Sequence, residues 1–226
     1  MAALSQSELA GFQPHLEEVR LDHRQCLYQP GSPPTRIYFP QEGLISLQVP
    51  LNGSGSIEAA MVGREGLVGL PVMEGESQPP GRALVQAPGR ALAISWPALM
   101  AALRDSAALQ ALIASHLHAL LAQLFQTAGC NAVHSAEQRL ARWLLAASDR
   151  TGGRAVPLTH EGLADMLGVG RPTVSIIARN LQDSGLIAYR RGLIEVASRG
   201  GLEKIACPCY GEVRSAYQRL LPLSYS

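Results

Sequence analysis

The chain has 226 residues, of which 47% are hydrophobic and 16% are charged. This length and composition exclude a disordered tail and leave room for one or two hydrophobic cores. The formal net charge is +1, yet residues 1–138 hold 7 Lys and Arg against 11 Asp and Glu, or −4, and residues 139–226 hold 12 against 7, or +5. An acidic first part and a basic second part indicate two domains, the second facing a polyanion.

The sequence favours a cytoplasmic protein without a membrane span. The longest apolar stretch, residues 107–127, is interrupted by glutamines and histidines, and residues 1–21 lack the basic start and apolar run of a signal peptide. The four cysteines lie far apart except for Cys207 and Cys209, so a disulfide scaffold is not expected.

A β domain is predicted from about residue 24 to 94. Short runs of Val, Ile and Leu alternate there with turn sequences such as Pro30-Gly31, Pro79-Pro80-Gly81 and Pro88-Gly89. Short strands with frequent turns are typical of an antiparallel sandwich or barrel. Asn52-Gly53, between apolar runs at 47–49 and 57–61, predicts a hairpin.

A long helix is predicted at about 106–130, after a shorter one that Ser95-Trp96-Pro97 begins. Its apolar residues recur at steps of three and four, namely Leu109, Leu112, Ile113, Leu117, Leu120, Leu121 and Leu124. So wide an apolar stripe needs cover on more than one side. It either packs only against the β domain or also pairs with a second copy of itself in a dimer seam.

A helix-turn-helix is predicted at residues 160–179. Small Ala164, the turn glycine Gly168 and a set of apolar residues stand at the spacing that lets two crossed helices bury each other. Thr159 can cap the first helix, and Gly170 with Pro172 can begin the second. Residues 186–189 and 193–196 flank a basic turn and predict a β-hairpin wing.

The predicted DNA contacts lie on the second helix, its cap and the wing: Arg171, Thr173, Ser175, Ile176, Arg179, Thr159, Arg190 and Arg191. Arg171 stands where a recognition helix enters the major groove and can bond guanine bidentately. Thr173 can reach a phosphate, Ser175 a base or a phosphate, and Ile176 a thymine methyl. Arg179 and the wing arginines are expected at the phosphate backbone.

This order of parts resembles the Crp/Fnr family of bacterial transcription regulators, above all in the segments 30–47, 93–99, 139–145 and 163–175. The resemblance implies an α+β fold: a cyclic-nucleotide-binding-like β-roll with a long dimerisation helix in residues 1–133, and a winged helix-turn-helix DNA-binding domain in residues 134–226. It also implies a homodimer that binds a palindromic operator on double-stranded DNA and contacts RNA polymerase. Pro172 and Ile176 depart from the best-known members, so the operator is expected to differ.

The effector does not follow from the resemblance. Family members that bind cyclic AMP carry a Glu in a glycine-rich turn and an Arg-Ser pair, whereas here Leu70 replaces that Glu and Ala83 follows the arginine. The positions on the long helix that would meet a purine are apolar. The sequence therefore favours an apolar effector other than cyclic AMP, or none, and identifies no cofactor. The candidate effector-site residues are Gly69, Arg82, Leu124 and Phe125.

Two rival functions stay open. One is a nucleotide- or redox-sensing regulatory module whose helical part contacts protein. The other is a thiol redox enzyme using Cys207 and Cys209, although no paired carboxylates, nucleophile–base pair or phosphate loop supports an enzyme. The same two thiols can also bind a soft metal, but two ligands do not complete a zinc site, and no metal site is predicted. With only Cys26 before residue 130, the iron–sulfur cluster of oxygen-sensing relatives is not expected.

Overall fold

The computed structural model describes residues 11–32, 34–51, 55–70 and 79–221. A short 3₁₀ turn, Gln13–His15, precedes the first strand. The strands in the described residues are β1 Glu17–Leu21, β2 Cys26–Tyr28, β3 Arg36–Pro50, β4 Ser56–Val62, β5 Arg82–Ser95, β6 Val156–Pro157, β7 Ile187–Arg190 and β8 Leu193–Val196. The α-helices there are α1 Trp96–Asp105, α2 Ala107–Val133, α3 Ala136–Thr151, α4 His160–Leu167, α5 Arg171–Asp183, α6 Arg199–Ile205 and α7 Cys209–Leu220.

The amino-terminal part is an antiparallel β-roll in the order β1-β5-β3-β4, with β2 also paired to β5. The pairing of β3 with β5 shifts register between residues 40 and 45, and such irregularities bend a strand. Residues 49–50 pair with 56–57, which confirms the predicted hairpin. Its turn, residues 52–54, lies outside the described residues.

Helix α2 follows α1 and begins where the Ser106 hydroxyl accepts a hydrogen bond from the amide of Leu109. It is 27 residues long and contains no Asp, Glu, Lys or Arg. In the described part of the chain it is the one helix long and apolar enough to cross a membrane by length and composition. Its buried side packs on the β-roll and on α7, as a core helix of a folded domain does.

The apolar residues of α2 lie on two faces that differ in how far the rest of the chain covers them. Leu109 and Ile113 are buried in the core of the β-roll, and Leu120 packs half-buried against a second β-roll cluster. By contrast, Leu117 is 46% and Leu121 49% exposed. One part of the apolar stripe is therefore covered by the same chain, and another part is left exposed.

The carboxy-terminal part begins at Ser135, whose side chain accepts from the amide of Gln138 while Gln138 accepts from the amide of Ser135. This reciprocal cap starts α3, which ends at Gly152 in the left-handed conformation (φ 65°). Strands β6, β8 and β7 form a small antiparallel sheet beside α4 and α5. The expected α+β fold, with sheet first and helices after it, is confirmed.

One hydrophobic core crosses from the β-roll into the carboxy-terminal part. It contains Leu44, Met61 and Ala87 of the roll together with Trp143 of α3 and Leu163 of α4. In this arrangement the two parts are packed together and share buried surface. The boundary at 133 and 134 stays a prediction, and the helix break at His134 coincides with it.

Candidate DNA-binding interface

Helices α4 and α5 form the crossed pair that the spacing predicts. Leu163 and Ala164 of α4 are buried together with Val174 and Ile177 of α5, so each helix covers the apolar face of the other. The chain turns between them at Gly168, whose φ is 62°. A residue with a Cβ is strained in this left-handed conformation, which is the physical reason for a glycine here.

The caps of both helices also follow the sequence. The Thr159 hydroxyl accepts a hydrogen bond of 3.1 Å from the amide of Gly162, which satisfies one free amide of α4. Helix α5 begins after Gly170 and carries Pro172 in its first turn, where the missing amide hydrogen has no partner to lose. Helix α5 therefore begins at a defined residue, at the end where the sequence predicts base contacts.

The open face of α5 carries Arg171, Thr173, Ile176 and Arg179, all exposed. Ile176 is 62% exposed, which is high for an isoleucine on a folded surface. Arg179 makes an exposed ion pair of 3.6 Å with Asp183 one turn later, an interaction weak enough to give way to a phosphate. Among the described residues, no hydrogen bond or ion pair holds the guanidinium of Arg171.

Ser175, a predicted DNA contact, is less exposed than the other predicted contacts on α5. It is half-buried, and its hydroxyl donates to the carbonyl of Arg171 and lies 3.0 Å from Nδ1 of His160. The reason is its position on the side of α5 that turns toward the start of α4. A base contact by Ser175 would have to replace these internal bonds, whereas holding α5 against α4 needs no change.

His160, which no sequence pattern singles out, connects the recognition helix to the wing. Its ring stacks on Tyr189 of β7 with centroids 4.8 Å apart and an interplanar angle of 16°. Tyr189 in turn donates from its hydroxyl to the carbonyl of Leu158 and from its amide to the side chain of Gln182. A histidine at the start of a helix carries no sequence mark of this role, because its partners, Ser175 and Tyr189, come from two other elements.

The wing is the antiparallel pair β7 and β8, joined by Arg191 and Gly192. Both turn residues have positive φ, 51° and 77° respectively, as in the two-residue turns that match the twist of a hairpin. Arg190 and Arg191 are exposed at its tip. The predicted hairpin is confirmed, and it projects two cations beside the recognition helix.

This geometry agrees with a comparison against protein families, in which residues 138–205 match the model of the Crp-like helix-turn-helix domain. The helix-turn-helix and the wing both lie within the matched residues, so this part of the chain is similar to a Crp-like helix-turn-helix domain. No curated protein matches the chain in a sequence comparison. The resemblance to Crp/Fnr regulators is confirmed by this domain and by the folds of solved structures.

Three solved structures illustrate the shared fold. The c-di-GMP responsive global regulator CLP from Xanthomonas campestris is 18% identical, with 86% of this chain and 100% of that chain covered and a TM-score of 0.68. FixK2 from Bradyrhizobium japonicum is 17% identical, with 85% and 98% covered and a TM-score of 0.70. TTHB099, a CRP family transcriptional regulator from Thermus thermophilus, is 20% identical, with 83% and 96% covered and a TM-score of 0.69. At these identities the likeness establishes the fold.

The predicted effector residues of the β-roll are engaged inside the protein. Arg82 donates from Nε to Gln48 and from a terminal nitrogen to Ser56, both at 2.9 Å. Gly69 has a φ of 96°, and a Cβ there would collide with the carbonyl oxygen of Arg36. Gly69 thus serves the close approach of two backbone segments, and the Arg82 guanidinium already has acceptors.

The effector role predicted for Leu124 and Phe125 of α2 stays a prediction. A cleft between the β-roll, α2 and the Crp-like domain is lined on α2 by Gln123 and Thr127, whereas Leu124 and Phe125 are not part of its lining. Successive helical residues are rotated by about 100°, so the two predicted residues face elsewhere. Phe125 is 72% exposed on the outer surface.

The cleft is also more polar than expected for an apolar effector. Its lining includes Glu58, Asp149 and the arginines at 142, 150 and 214. Its cavity volume of about 20 Å³ accommodates about one water molecule, which is far too little for a nucleotide. In this arrangement, any larger ligand would have to separate the elements that form the cleft.

Proposed function

We propose that this protein is a cytoplasmic, homodimeric, sequence-specific transcription regulator that binds a palindromic operator and contacts RNA polymerase. The observation that supports it most directly is the open face of α5. Arg171 lies at the amino-terminal end of that helix with no partner for its guanidinium among the described residues. Bidentate bonding to guanine would supply that partner and would be worth about 1–3 kcal/mol of discrimination between bases.

The other predicted contacts differ in the part of the DNA that they are placed to reach. Thr173 and Ile176 share the exposed face of α5 with Arg171, so they are placed for a phosphate and a thymine methyl respectively. Arg179 on this face and Arg190 and Arg191 at the tip of the wing are exposed cations that suit the phosphate backbone. Thr159 and Ser175 use their hydroxyls within the domain, so we assign them to positioning the helices.

The open apolar face of α2 supports the homodimer. Leu117, Leu121 and Phe125 are spaced four residues apart, lie on one side of the helix and are 46%, 49% and 72% exposed. Such a row on a helix without charged residues has a high cost in water, and a second copy of the same helix covers it symmetrically. A dimer about this seam would present two α5 helices to successive major grooves, about 34 Å apart.

We also propose that any effector of the β-roll is not cyclic AMP. The support is that Arg82, the one expected phosphate ligand that remains, is already bound to Gln48 and Ser56. An effector would act by favouring one arrangement of the roll and the DNA-binding domain over another. The regulator CLP, which shares this fold, is described as c-di-GMP responsive, so this dinucleotide is one candidate to test.

The experiment is selection of bound fragments from genomic DNA of the source organism with the purified full chain, followed by footprinting. We expect enriched fragments to share an inverted repeat whose half-sites are protected about one helical turn apart. Repeating the selection with cyclic AMP and c-di-GMP tests whether either changes the affinity.

The salt dependence of binding separates this function from a module that contacts only protein. Binding through about 6–10 phosphates should weaken by about 10³–10⁵-fold between 50 and 200 mM salt. Fragments without a shared repeat, or binding that is insensitive to salt, would contradict the proposal.

A further inference from the structure

Three cysteines and a histidine from separate parts of the chain meet beside the break between α2 and α3. Cys130 lies in the last turn of α2 and His134 follows that helix, whereas Cys207 and Cys209 lie 77 and 79 residues further along, at the start of α7. The ligand atoms of Cys130, His134, Cys207 and Cys209 all lie within 4.8 Å of one another. The sequence indicated only the Cys207–Cys209 pair, because the contact with Cys130 and His134 depends on the docking of α7 against α2.

The distances within this cluster fit one tetrahedral ion. Sγ of Cys130 is 3.4 Å from Sγ of Cys207, and Sγ of Cys209 is 3.5 Å from Nδ1 of His134. Zinc binds sulfur at about 2.3 Å and imidazole nitrogen at about 2.0–2.1 Å, so a tetrahedral site has edges of about 3.5–3.8 Å. We propose that Cys130, His134, Cys207 and Cys209 bind one zinc ion per chain.

The surroundings suit metal-bound thiolates. The three cysteines are at most 2% exposed, so solvent has little access to the sulfur atoms. The Gln126 amide donates a hydrogen bond of 3.0 Å to Sγ of Cys209, the kind of outer contact that orients a metal ligand. Three thiolates and a zinc ion leave one negative charge, and Arg142 is close enough to Cys130 to offset it.

Two alternatives account for the cluster less well. An iron–sulfur cluster places its ligand sulfurs around several irons, which demands more room than four ligand atoms within 4.8 Å provide. A disulfide between Cys130 and Cys207 would use two sulfurs and leave Cys209 and His134 facing the pair without a role. One divalent ion with a preference for sulfur and nitrogen uses all four groups.

The site would fasten the end of α2 to the carboxy-terminal helices. Cys130 and His134 lie on either side of the position where α2 ends, and Cys207 and Cys209 flank the turn between α6 and α7. Because α2 packs along α7, an ion shared by both elements stabilises the arrangement in which they touch. Because the ion would bind only the folded chain, it would raise the free energy of unfolding.

The experiment is zinc analysis by mass spectrometry on the full chain, purified with reductant and without chelator. We expect one zinc per chain in the wild type and in Cys26→Ser, whose thiol is exposed and outside the cluster. Cys207→Ser and Cys209→Ser should retain less than about a tenth of this zinc. His134→Cys should retain it as a four-cysteine site, whereas His134→Ala should bind it at least about tenfold more weakly.

Cobalt(II) spectra and thermal unfolding of the wild-type protein test the site independently of any variant that folds poorly. Wild-type protein stripped with chelator and loaded with cobalt(II) should show the intense visible bands of a tetrahedral thiolate site, and chelator should lower its midpoint of unfolding until zinc is restored. Metal-free wild type with no tetrahedral cobalt spectrum would overturn the proposal. A Cys130–Cys207 disulfide in protein that binds no zinc under reducing conditions would overturn it in favour of a redox pair.

Discussion

The indole nitrogen of Trp143 donates a hydrogen bond of 2.7 Å to the carboxylate of Glu58, 85 residues earlier in the chain. The other carboxylate oxygen accepts from the hydroxyl of Ser46 at 2.6 Å. Trp143 belongs to the first helix of the carboxy-terminal part and Glu58 to the β-roll, and both are buried. This buried polar contact joins the two parts of the chain at a defined point.

Glu58 makes the stability of this junction depend on pH. Burial raises the pKa of Glu58 from 4.5 to about 7, although hydrogen bonds from Ser46 and Trp143 lower it in part. A carboxyl whose pKa is raised by folding contributes stability that is complete below pH 4.5 and is lost as the pH rises through about 7. We expect the free energy of unfolding of Glu58→Gln, relative to that of the wild type, to rise by roughly 1–3 kcal/mol between pH 5 and pH 8.

Urea unfolding at several pH values measures this difference. Burial lowers the pKa of His116, so its effect on the pH dependence of stability has the opposite sign to that of Glu58. Because His116 is present in both proteins, its contribution cancels when the variant is compared with the wild type. A constant difference between the two proteins over this pH range would contradict the assignment of Glu58 as the titrating group.

A buried ion pair provides a second prediction. Arg150 of α3 contacts Glu65 of the β-roll at 2.7 Å, and both side chains are 2% exposed. Glu65→Gln would remove the negative charge that this buried guanidinium contacts, so we expect a loss of about 3–5 kcal/mol in the free energy of unfolding. The matched control is Glu17→Gln, which breaks the exposed pair with Arg36 and should cost less than about 1 kcal/mol. Equal losses for the two variants in denaturant titrations would be inconsistent with this account.

The helix-turn-helix was predictable because its determinants are local. Gly168 and the cap Thr159 act on backbone groups of their own helix, and Leu163 is buried with Val174 and Ile177 of the next helix, so spacing carries much of the information. The wing was predictable for the same reason, since Gly192 and its neighbours form a two-residue turn. Local conformational preferences and the geometry of the folded domain agree in this segment.

The destinations of the α2 side chains were not predictable in the same way. A three-and-four spacing marks Leu120 and Leu121 alike, but adjacent residues point about 100° apart, and only the docked β-roll decides which of them it covers. The Cys130–Cys207 contact and the Trp143–Glu58 bond depend equally on distant segments. The sequence therefore predicts the apolar stripe of α2 and the Cys207–Cys209 pair. Which side chains they contact is decided by the docking of the two parts.

The dimer is tested best by Leu121→Glu. Leu121 is 49% exposed in the middle of the open face of α2, so a carboxylate there costs the single chain little but would be buried in a dimer seam. We expect sedimentation to show monomers, with DNA affinity reduced at least about a hundredfold. Val49→Glu, at a similarly exposed position of the β-roll (44%), should remain dimeric. A dimer that survives Leu121→Glu would place the interface elsewhere.

Base recognition is tested by Arg171→Ala. Because its guanidinium is exposed and makes no internal bond among the described residues, its removal should leave folding and the dimer unchanged. Loss of a bidentate guanine contact should cost about 1–3 kcal/mol on the selected operator and relax the preference at one position of each half-site. Arg20→Ala is the matched control and should bind like the wild type, because Arg20 is an exposed arginine of β1 that pairs with Asp22.

Competition binding against operators with each base changed in turn measures both the affinity and the base preference. An unaltered preference at every position would count against Arg171 as a base contact. A loss that is uniform across sequences and reduces the salt slope by about one would instead assign Arg171 to the phosphate backbone.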